Sequence, residues 1–147
     1  MIMQARLLTA PETHPLRLLV LRPGGTLADV DFANDANAGA FHLGIEVNEE
    51  LVSVGSFYPE GHPALSAQRP YRLRGMATHP AHQGSGAGSA LLRAAIELLR
   101  TLHADVLWCN ARVKAVPFYE RAGFQREGEL FDIPGIGGHY LMFRMLQ

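Results

Sequence analysis

The chain has 147 residues and a formal net charge of -1, with 48% hydrophobic and 18% charged residues. This size and composition predict one folded domain spanning residues 1–147, whose core needs neither disulfides nor metals. The near-zero charge argues against a polyanionic partner, so we expect no nucleic acid and no anionic membrane surface among its ligands.

The single cysteine, Cys109, excludes an intramolecular disulfide and a cysteine-rich zinc site. The first six residues lack the apolar stretch of a signal peptide, and no segment approaches the length of a transmembrane helix. The sequence therefore predicts a cytoplasmic protein.

The first half of the chain alternates apolar runs with turn-forming residues. A strand is predicted at residues 4–8 and a helix at residues 16–21, which Pro23-Gly24-Gly25 would end. Residues 26–40, rich in Asp, Asn and Ala, fit either a short helix or a loop over an active site. The apolar runs at 42–47 and 51–58, with polar residues between them, predict an antiparallel hairpin.

The second half contains the clearest helix. Residues 88–102 place apolar side chains at helical spacing, with Arg93, Glu97 and Arg100 on the polar face. The other predicted elements are strands at 71–78, 105–109, 124–130 and 139–146, and a helix at 115–122 that Gly123 ends. This order predicts an α/β or α+β fold, with a mixed sheet that carries helices on its faces.

A glycine-rich turn, Gln-Gly-Ser-Gly-Ala-Gly-Ser at residues 83–89, joins a strand to the long helix. Its glycines permit a sharp turn that points backbone N–H groups into one concavity, and the helix N-terminus adds a partial positive charge. The turn predicts a diphosphate site, although many such connections bind no ligand. The turn lacks the lysine of a Walker loop, because Ser89-Ala90 follows Gly88, and this disfavours a nucleoside-triphosphate hydrolase. Ser89 also departs from the dinucleotide fingerprint, which disfavours a nicotinamide-dependent enzyme.

These residues resemble the signature of the GCN5-related N-acetyltransferase (GNAT) superfamily. Gln83, Gly86 and Gly88 match its Gln/Arg-x-x-Gly-x-Gly/Ala motif. Residues 74–80 look like the family's strand before that motif, and residues 115–124 look like its tyrosine-bearing helix and Gly-Phe turn. The resemblance covers the chain from Tyr71 onward.

The resemblance implies a GNAT-like mixed, mostly antiparallel central sheet of six to seven strands with about four helices. It also implies acetyl-CoA as cosubstrate, lying between two splayed strands, and no metal. The residues that it assigns to coenzyme binding are Met76, Ala77, Thr78, Gln83, Gly84, Ser85, Gly86, Ala87, Gly88, Ser89, Asn110 and Arg112.

The sequence departs from the family pattern at the positions of Asn110 and Arg112. Arg112 stands where the family often has asparagine, seven residues before the tyrosine, and Asn110 lies two residues earlier. Four cations are candidates for the 3′-phosphate of the coenzyme, and the sequence leaves the choice open: Arg93, Arg112, Lys114 and Arg121.

Catalytic roles are assigned to Tyr119 and His139. Tyr119 is the expected proton donor to the departing thiolate, although it could instead only pack its helix against the sheet. His139, in a tail similar to that of a GNAT subgroup, is the expected base for the amine proton, although it could equally cap a strand end. Asp132 could orient this histidine or bind a cationic substrate. A water chain would be another route, and the other candidate bases are His42, Glu46, Glu60 and His62.

Other reactive side chains have simpler interpretations. His79 and His82 lack a third metal ligand at suitable spacing and are expected in a surface loop. Cys109 is expected to be a buried thiol, and Trp108 is expected to line the core or a cleft.

The sequence therefore predicts an enzyme that moves an acetyl group from acetyl-CoA to a primary amine of a small molecule or protein. The alternatives are a non-catalytic acyl-CoA-binding or sensing module and a same-fold enzyme that uses a longer acyl group. Because many superfamily members dimerise, a homodimer is also left open.

Overall fold

The computed structural model describes residues 2–147. Its strands are β1 (Met3–Leu8), β2 (Phe41–Val47), β3 (Glu50–Pro59), β4 (Pro70–Thr78), β5 (Val106–Arg112), β6 (Gln125–Ile133) and β7 (Gly137–Met145). All seven join one sheet in the order β1-β2-β3-β4-β5-β7-β6. Neighbouring strands are antiparallel except β4 and β5, which run parallel.

The α-helices are α1 (Ala10–Leu16), α2 (Leu27–Val30), α3 (Ala87–Thr101) and α4 (Val116–Arg121). With the seven strands, they confirm the predicted mixed, mostly antiparallel sheet with about four helices. Within residues 2–147, no helix is both long and apolar enough to cross a lipid bilayer.

The first helix starts earlier than the sequence predicted. It begins at Ala10 and continues into a π-helical turn at Arg17–Leu21, so the predicted start at residue 16 is wrong. Pro11 is compatible with this start because the first turn of a helix needs no backbone N–H donor. The ambiguous stretch 26–40 contains both α2 and a 3-10 turn at Ala33–Ala36.

Three strands extend beyond their predicted ends. Strand β5 reaches Arg112, while β6 and β7 approach each other across the short segment 134–136. Gly135 and Gly137 have φ angles of +80° and +118°, which let the chain reverse there. The apolar pattern missed the extension of β5 because Asn110 and Arg112 are polar, and their backbone pairing leaves no hydrophobic signal.

Helices cover both faces of the sheet. Helix α3 packs against β1 to β4 and buries one apolar stripe, whose members include Leu91, Ala95 and Leu99. Helix α1 packs on the opposite face, where Leu16 joins Val54 and Ala77. Strand β3, between the two layers, is almost entirely buried.

Strands β4 and β5 separate after a short paired region. Their pairing covers Pro70–Arg72 against Val106–Trp108. Further along β4, the register with β3 shifts, so that Gly75 and Met76 together face Gly55 in a β-bulge. Gly75 has a φ of +65°, a conformation that glycine adopts without steric strain. The bulge and the separation leave a gap in the middle of the sheet.

A buried polar network joins α1 to the sheet beside this gap. The fully buried guanidinium of Arg17 donates to both carboxylate oxygens of Asp35, at 2.7 and 3.0 Å, and to Ser56 Oγ at 2.7 Å. Tyr58 also donates to Asp35, and His42 contacts Ser56 Oγ at 2.6 Å. Burial alone would raise the pKa of Asp35, but hydrogen bonds from Arg17 and Tyr58 hold it below 3.8.

Asp35→Asn is expected to lower the free energy of unfolding by about 3 kcal/mol, because it leaves the buried Arg17 charge without a counter-charge. Urea denaturation measures the change, and Asp132→Asn on exposed β6 is the control. Since the folded pKa of Asp35 lies below its ordinary 3.8, its contribution is present above that pH and is lost as pH falls through the folded value. Equal stability of the two variants would contradict this role.

Candidate active site

A cavity of about 650 Å³ occupies the gap between the separated parts of β4 and β5. Strand β4 contributes Arg74, Gly75 and Met76 to its wall, and β5 contributes its last four residues, 109–112. The segment around α2, helix α4 and the β6–β7 turn complete the lining. The cavity therefore brings together distant parts of the chain.

A second cavity of about 370 Å³ surrounds the glycine-rich turn. Thr78, Gln83 and Phe118 line both cavities, so the two are neighbouring parts of one depression. The smaller cavity also has Arg121 in its wall. A long ligand can therefore extend from the turn into the gap between the strands.

The turn presents free backbone donors to the smaller cavity. Helix α3 starts after Gly86, whose φ is +92°, and no side chain caps its N-terminus. Within residues 2–147, the N–H groups of Ala87, Gly88 and Ser89 have no acceptor, whereas Ala90 donates to Gly86. Three adjacent unsatisfied donors at a helix start suit an anion.

Ser85 differs from its neighbours in the turn. Its N–H donates to the His82 carbonyl at 3.2 Å, and its Oγ donates to the same oxygen at 2.5 Å. Since both donors of Ser85 are already used, its predicted contact with the coenzyme has less geometric support than that of Ala87 or Gly88.

The predicted β4 contacts involve its backbone. Ala77 is buried against α1, Met76 packs on the core, and the Thr78 hydroxyl contacts Ser53 Oγ at 2.8 Å. Their side chains are thus engaged, while the β4 edge toward β5 lacks a strand partner beyond Arg72. Gln83 Nε2 donates to the Thr78 carbonyl at 3.2 Å and connects this edge to the turn.

Tyr119 lies on the α4 side of the larger cavity and is only 6% exposed. Its side chain and the Cys109 thiol belong to the same buried cluster, and the two groups lie close to each other. Burial, followed by the proximity of Cys109, raises the pKa of Tyr119 well above 10. The phenol therefore keeps its proton at neutral pH and has the form that a proton donor requires.

His139 lines the same cavity from β7 and is 4% exposed. Its Nδ1 lies 2.7 Å from the Gly137 carbonyl oxygen. Because a carbonyl only accepts hydrogen bonds, Nδ1 carries the proton and Nε2 keeps a free lone pair when the ring is neutral. This tautomer is the one that a base needs.

The other candidate bases lie elsewhere. Among the residues that the structure describes, His139 is the candidate base that lines the cavity. His42 belongs to the buried network, Glu46 pairs with Arg6, and Glu60 pairs with Arg72 at 3.0 Å. The sequence favoured His139 but could not exclude the other four, because all these residues lie on strands or loops of similar character.

Asn110 and Arg112 point away from Tyr119. Successive side chains of a strand alternate between faces, and Cys109 and Ala111 belong to the core on the α3 and α4 side. Asn110 and Arg112 therefore occupy the α1 and α2 side of the cavity. Their predicted contact with the coenzyme stays a prediction, but their position suggests a different ligand.

Other reactive groups have structural surroundings. Cys109 is fully buried, and burial raises its pKa to about 12, so a nucleophilic thiolate is disfavoured. His79 lies in the loop after β4, where its Nδ1 accepts from the Ala81 N–H. His14, Asp31 and Asp35 have ligand atoms within 4.8 Å of one another, but the Asp35 oxygens already accept from Arg17 and Tyr58.

Known proteins share this architecture. The family model described as Acetyltransferase (GNAT) family matches residues 9–124. The uncharacterized N-acetyltransferase YitI of Bacillus subtilis (strain 168) is 35% identical over 146 residues, covering 99% of this chain and 98% of YitI. The chain therefore belongs to the GNAT acetyltransferase family, and it is an acyltransferase.

Solved structures with low sequence identity show the same fold. Escherichia coli ElaA has a TM-score of 0.78 at 18% identity, with 97% of this chain and 99% of ElaA covered. The ribosomal-protein-S18-alanine N-acetyltransferase of Escherichia coli has a TM-score of 0.76 at 16% identity, with coverage of 99% and 95%. GNAT enzymes generally use acetyl-CoA as cosubstrate and an amine as acceptor.

Gly75→Ala is expected to destabilise the protein more than Gly128→Ala. Both positions have positive φ, +65° and +77°, but an added Cβ at Gly75 would lie 2.9 Å from Arg17 Nε, whereas Gly128 has open space. Conformational strain alone costs about 1–2 kcal/mol, and the clash adds to it only at Gly75. Chemical denaturation of both variants measures the difference, and equal losses would show that Arg17 does not constrain the bulge.

Proposed function

We propose that the protein is an acetyl-CoA-dependent N-acetyltransferase in which a primary amine attacks the thioester directly. One observation carries this proposal. The free amides at the start of α3 open into a cavity that reaches the Tyr119 and His139 side chains. The binding site for a diphosphate and the groups for acyl transfer therefore belong to one depression.

The coenzyme is assigned to the α3 and α4 side of the gap. Its diphosphate accepts hydrogen bonds from the amides of Gly84 and Gly86–Ser89, and Arg121 supplies the nearby positive charge. Its pantetheine arm pairs with the free edge of β4 at Met76–Thr78, in the manner of an added strand. This leaves the thioester beside the bulge at Gly75 and Met76.

The reaction then needs one bond exchange and two proton transfers. The amine nitrogen attacks the thioester carbonyl carbon, and a backbone N–H near Met76 stabilises the developing oxyanion. The carbon–sulfur bond breaks, the thiolate takes the Tyr119 proton, and His139 Nε2 takes a proton from the amine. The products are the N-acetyl amine and free coenzyme A, and solvent then carries one proton from His139 to Tyr119 to restore both groups.

Proton transfer from Tyr119 is feasible in spite of its high pKa. With ordinary pKa values near 10 for tyrosine and 8.5 for a thiol, transfer to a thiolate costs about 2 kcal/mol. Burial raises the pKa of Tyr119, but it also raises that of the neighbouring Cys109 thiol to about 12. A coenzyme thiolate in the same dry surroundings becomes a stronger base too, so burial shifts the pKa values of donor and acceptor in the same direction.

Tyr119→Phe is expected to lower kcat by about 10²- to 10⁴-fold with little change in acetyl-CoA affinity, because the variant loses the proton donor but keeps the aromatic ring. Free thiol release with an amine panel gives the rate, and calorimetry gives the affinity. Tyr140→Phe is the matched control, because Tyr140 is a half-buried tyrosine on β7. Undiminished turnover would remove Tyr119 from the mechanism.

The same assay separates the alternative functions. Tight acetyl-CoA binding without thiol release from any amine would favour a non-catalytic acyl-CoA-binding module. Preferential turnover of a longer acyl-CoA would favour the same fold with a different donor. An absence of binding to CoA and to every acyl-CoA would contradict the proposed function as a whole.

Arg121→Gln is expected to weaken CoA binding by roughly 10-fold, because a charge-assisted hydrogen bond to phosphate is lost. If Arg121 holds the 3′-phosphate, the substitution will leave the affinity for dephospho-CoA unchanged. If Arg121 contacts the diphosphate instead, the substitution will lower the affinity for both CoA and dephospho-CoA. Calorimetry with the two coenzymes distinguishes these cases, and Arg126→Gln on exposed β6 is the control. Unchanged affinity for both would exclude Arg121 from the site.

A further inference from the structure

The α1 and α2 side of the larger cavity carries an excess of positive charge. Four basic side chains in its lining have no acidic partner within salt-bridge distance in residues 2–147: Arg22, Arg74, Arg112 and Lys114. The lining contains one acidic residue, Asp29, whose carboxylate caps α2 by accepting from the Thr26 N–H at 2.8 Å. Arg72 also lines the cavity, but Glu60 neutralises it.

Arg74 is a half-buried cation without a counter-ion. Its guanidinium stacks on the Phe32 ring at 4.1 Å and makes no hydrogen bond within residues 2–147. Burial, followed by the positive charge of Arg72, lowers the pKa of Arg74. Arg17 also stacks on Phe32, at 4.0 Å, but Asp35 neutralises that guanidinium. Arg74 is thus held in place by an aromatic ring while its donors stay free for a ligand.

Arg112 and Arg22 place two further guanidinium groups near each other. Both guanidinium groups approach the Leu21 carbonyl oxygen, Arg22 Nη1 at 2.9 Å and Arg112 Nη2 at 3.5 Å. Burial, followed by the positive charge of Arg22, lowers the pKa of Arg112. Two cations close together in a half-buried site repel each other, so an anion bound between them would relieve this repulsion.

The register of β5 and β7 brings the positive charge close to the proposed base. Arg112 lies directly opposite His139, and side chains of such pairs share one face with Cβ atoms about 4.5–5.5 Å apart. Asn110, one step along the same face, also lines the cavity, but its Oδ1 is buried and has no donor in residues 2–147.

We propose that the acceptor is an amine that carries a carboxylate or phosphate group within a few bonds of its nitrogen. Arg74 and Arg112 bind the anionic group, and His139 removes the proton of the amine. The cavity wall also contains the apolar side chains of Val20, Leu21, Ile133 and Ile136, which can contact an apolar part of the acceptor. This inference rests on the proposed acetyl transfer and adds the chemical class of its acceptor.

The competing explanation is that these cations bind the phosphates of the coenzyme, as the sequence analysis expected for Arg112. The geometry favours the acceptor, because the free amides and Arg121 form a separate anion site around the glycine-rich turn. Asn110 and Arg112 also lie on the opposite face of β5 from Cys109, the residue that contacts Tyr119. A polyamine acceptor would meet repulsion on this face.

The experiment compares amines that differ in charge. Leucine, leucinamide and isopentylamine share an apolar body, and only leucine has a carboxylate. O-phosphoethanolamine and ethanolamine form the corresponding phosphate pair. In at least one of the two sets, we expect kcat/KM for the anionic amine to exceed that for the amines without the anionic group by roughly 10- to 100-fold. This is the effect expected when a charged hydrogen bond is lost. Equal or better turnover of the neutral amines would overturn the proposal.

Variants then test the two arginines. Arg74→Gln and Arg112→Gln should reduce this charge preference by roughly 10-fold or more and raise KM for the amine, with KM for acetyl-CoA nearly unchanged. Arg69→Gln is the control, since this exposed arginine lines neither cavity. A purely structural role would alter stability without altering the preference. A raised KM for acetyl-CoA alone would assign the arginines to the coenzyme and overturn the proposal.

A binding measurement covers the case in which the panel contains no substrate. Calorimetry first establishes whether CoA binds, which tests the proposed function separately. N-acetyl-leucine and N-acetyl-leucinamide are then titrated into the enzyme–CoA complex as product analogues, with N-acetylated O-phosphoethanolamine and ethanolamine as the phosphate pair. Tighter binding of an anionic analogue supports the proposal, and equal or undetectable binding of both pairs with CoA bound overturns it.

Discussion

The separation of β4 from β5 is the constraint on which the rest of the molecule depends. Three paired residues on each strand hold the two halves of the sheet together, and beyond Arg72 and Trp108 the strands part. Each forgone backbone hydrogen bond costs about 0.5–1.5 kcal/mol of potential stability. The helices on both faces and the buried Arg17–Asp35 pair offset this loss. The gap therefore persists without a strand to fill it, and its free edge can bind an extended ligand.

Phe32 shows how one side chain serves both stability and binding. Its ring lies between two guanidinium groups, at 4.0 Å from Arg17 and 4.1 Å from Arg74. The Arg17 side chain is fully buried and paired with Asp35, whereas Arg74 is half-buried and unpaired. The ring accepts no conventional hydrogen bond from either guanidinium group. The two arginines therefore differ in whether an acidic partner is present, which is Asp35 for Arg17 and none for Arg74 within residues 2–147. Arg17 packs against the bulge at Gly75, and Arg74 keeps the free donors that the proposed anion site requires.

The sequence predicted the C-terminal half of the fold well because its signals are local. The glycine-rich turn, the long helix and the tyrosine-bearing helix each lie within one short segment, so their spacing could be recognised. The α1 and α2 region gave no such signal, since its contacts join distant residues such as Arg17 and Ser56, 39 positions apart. The choice of His139 among the candidate bases likewise depended on strand register, which fixed its position opposite Arg112.

Strand β5 organises the proposed chemistry through the alternation of its side chains. Cys109 faces Tyr119, the proposed proton donor, whereas Asn110 and Arg112 face the opposite layer together with His139. A thiolate that leaves toward α4 and an amine that arrives from the α1 and α2 side would thus be served by different faces of one strand. The proposed acid and the proposed base therefore approach the same cavity from different faces of one strand. The same separation would let the proposed acceptor face vary without disturbing the proposed coenzyme face, because residues on opposite faces of a strand share backbone but few side-chain contacts.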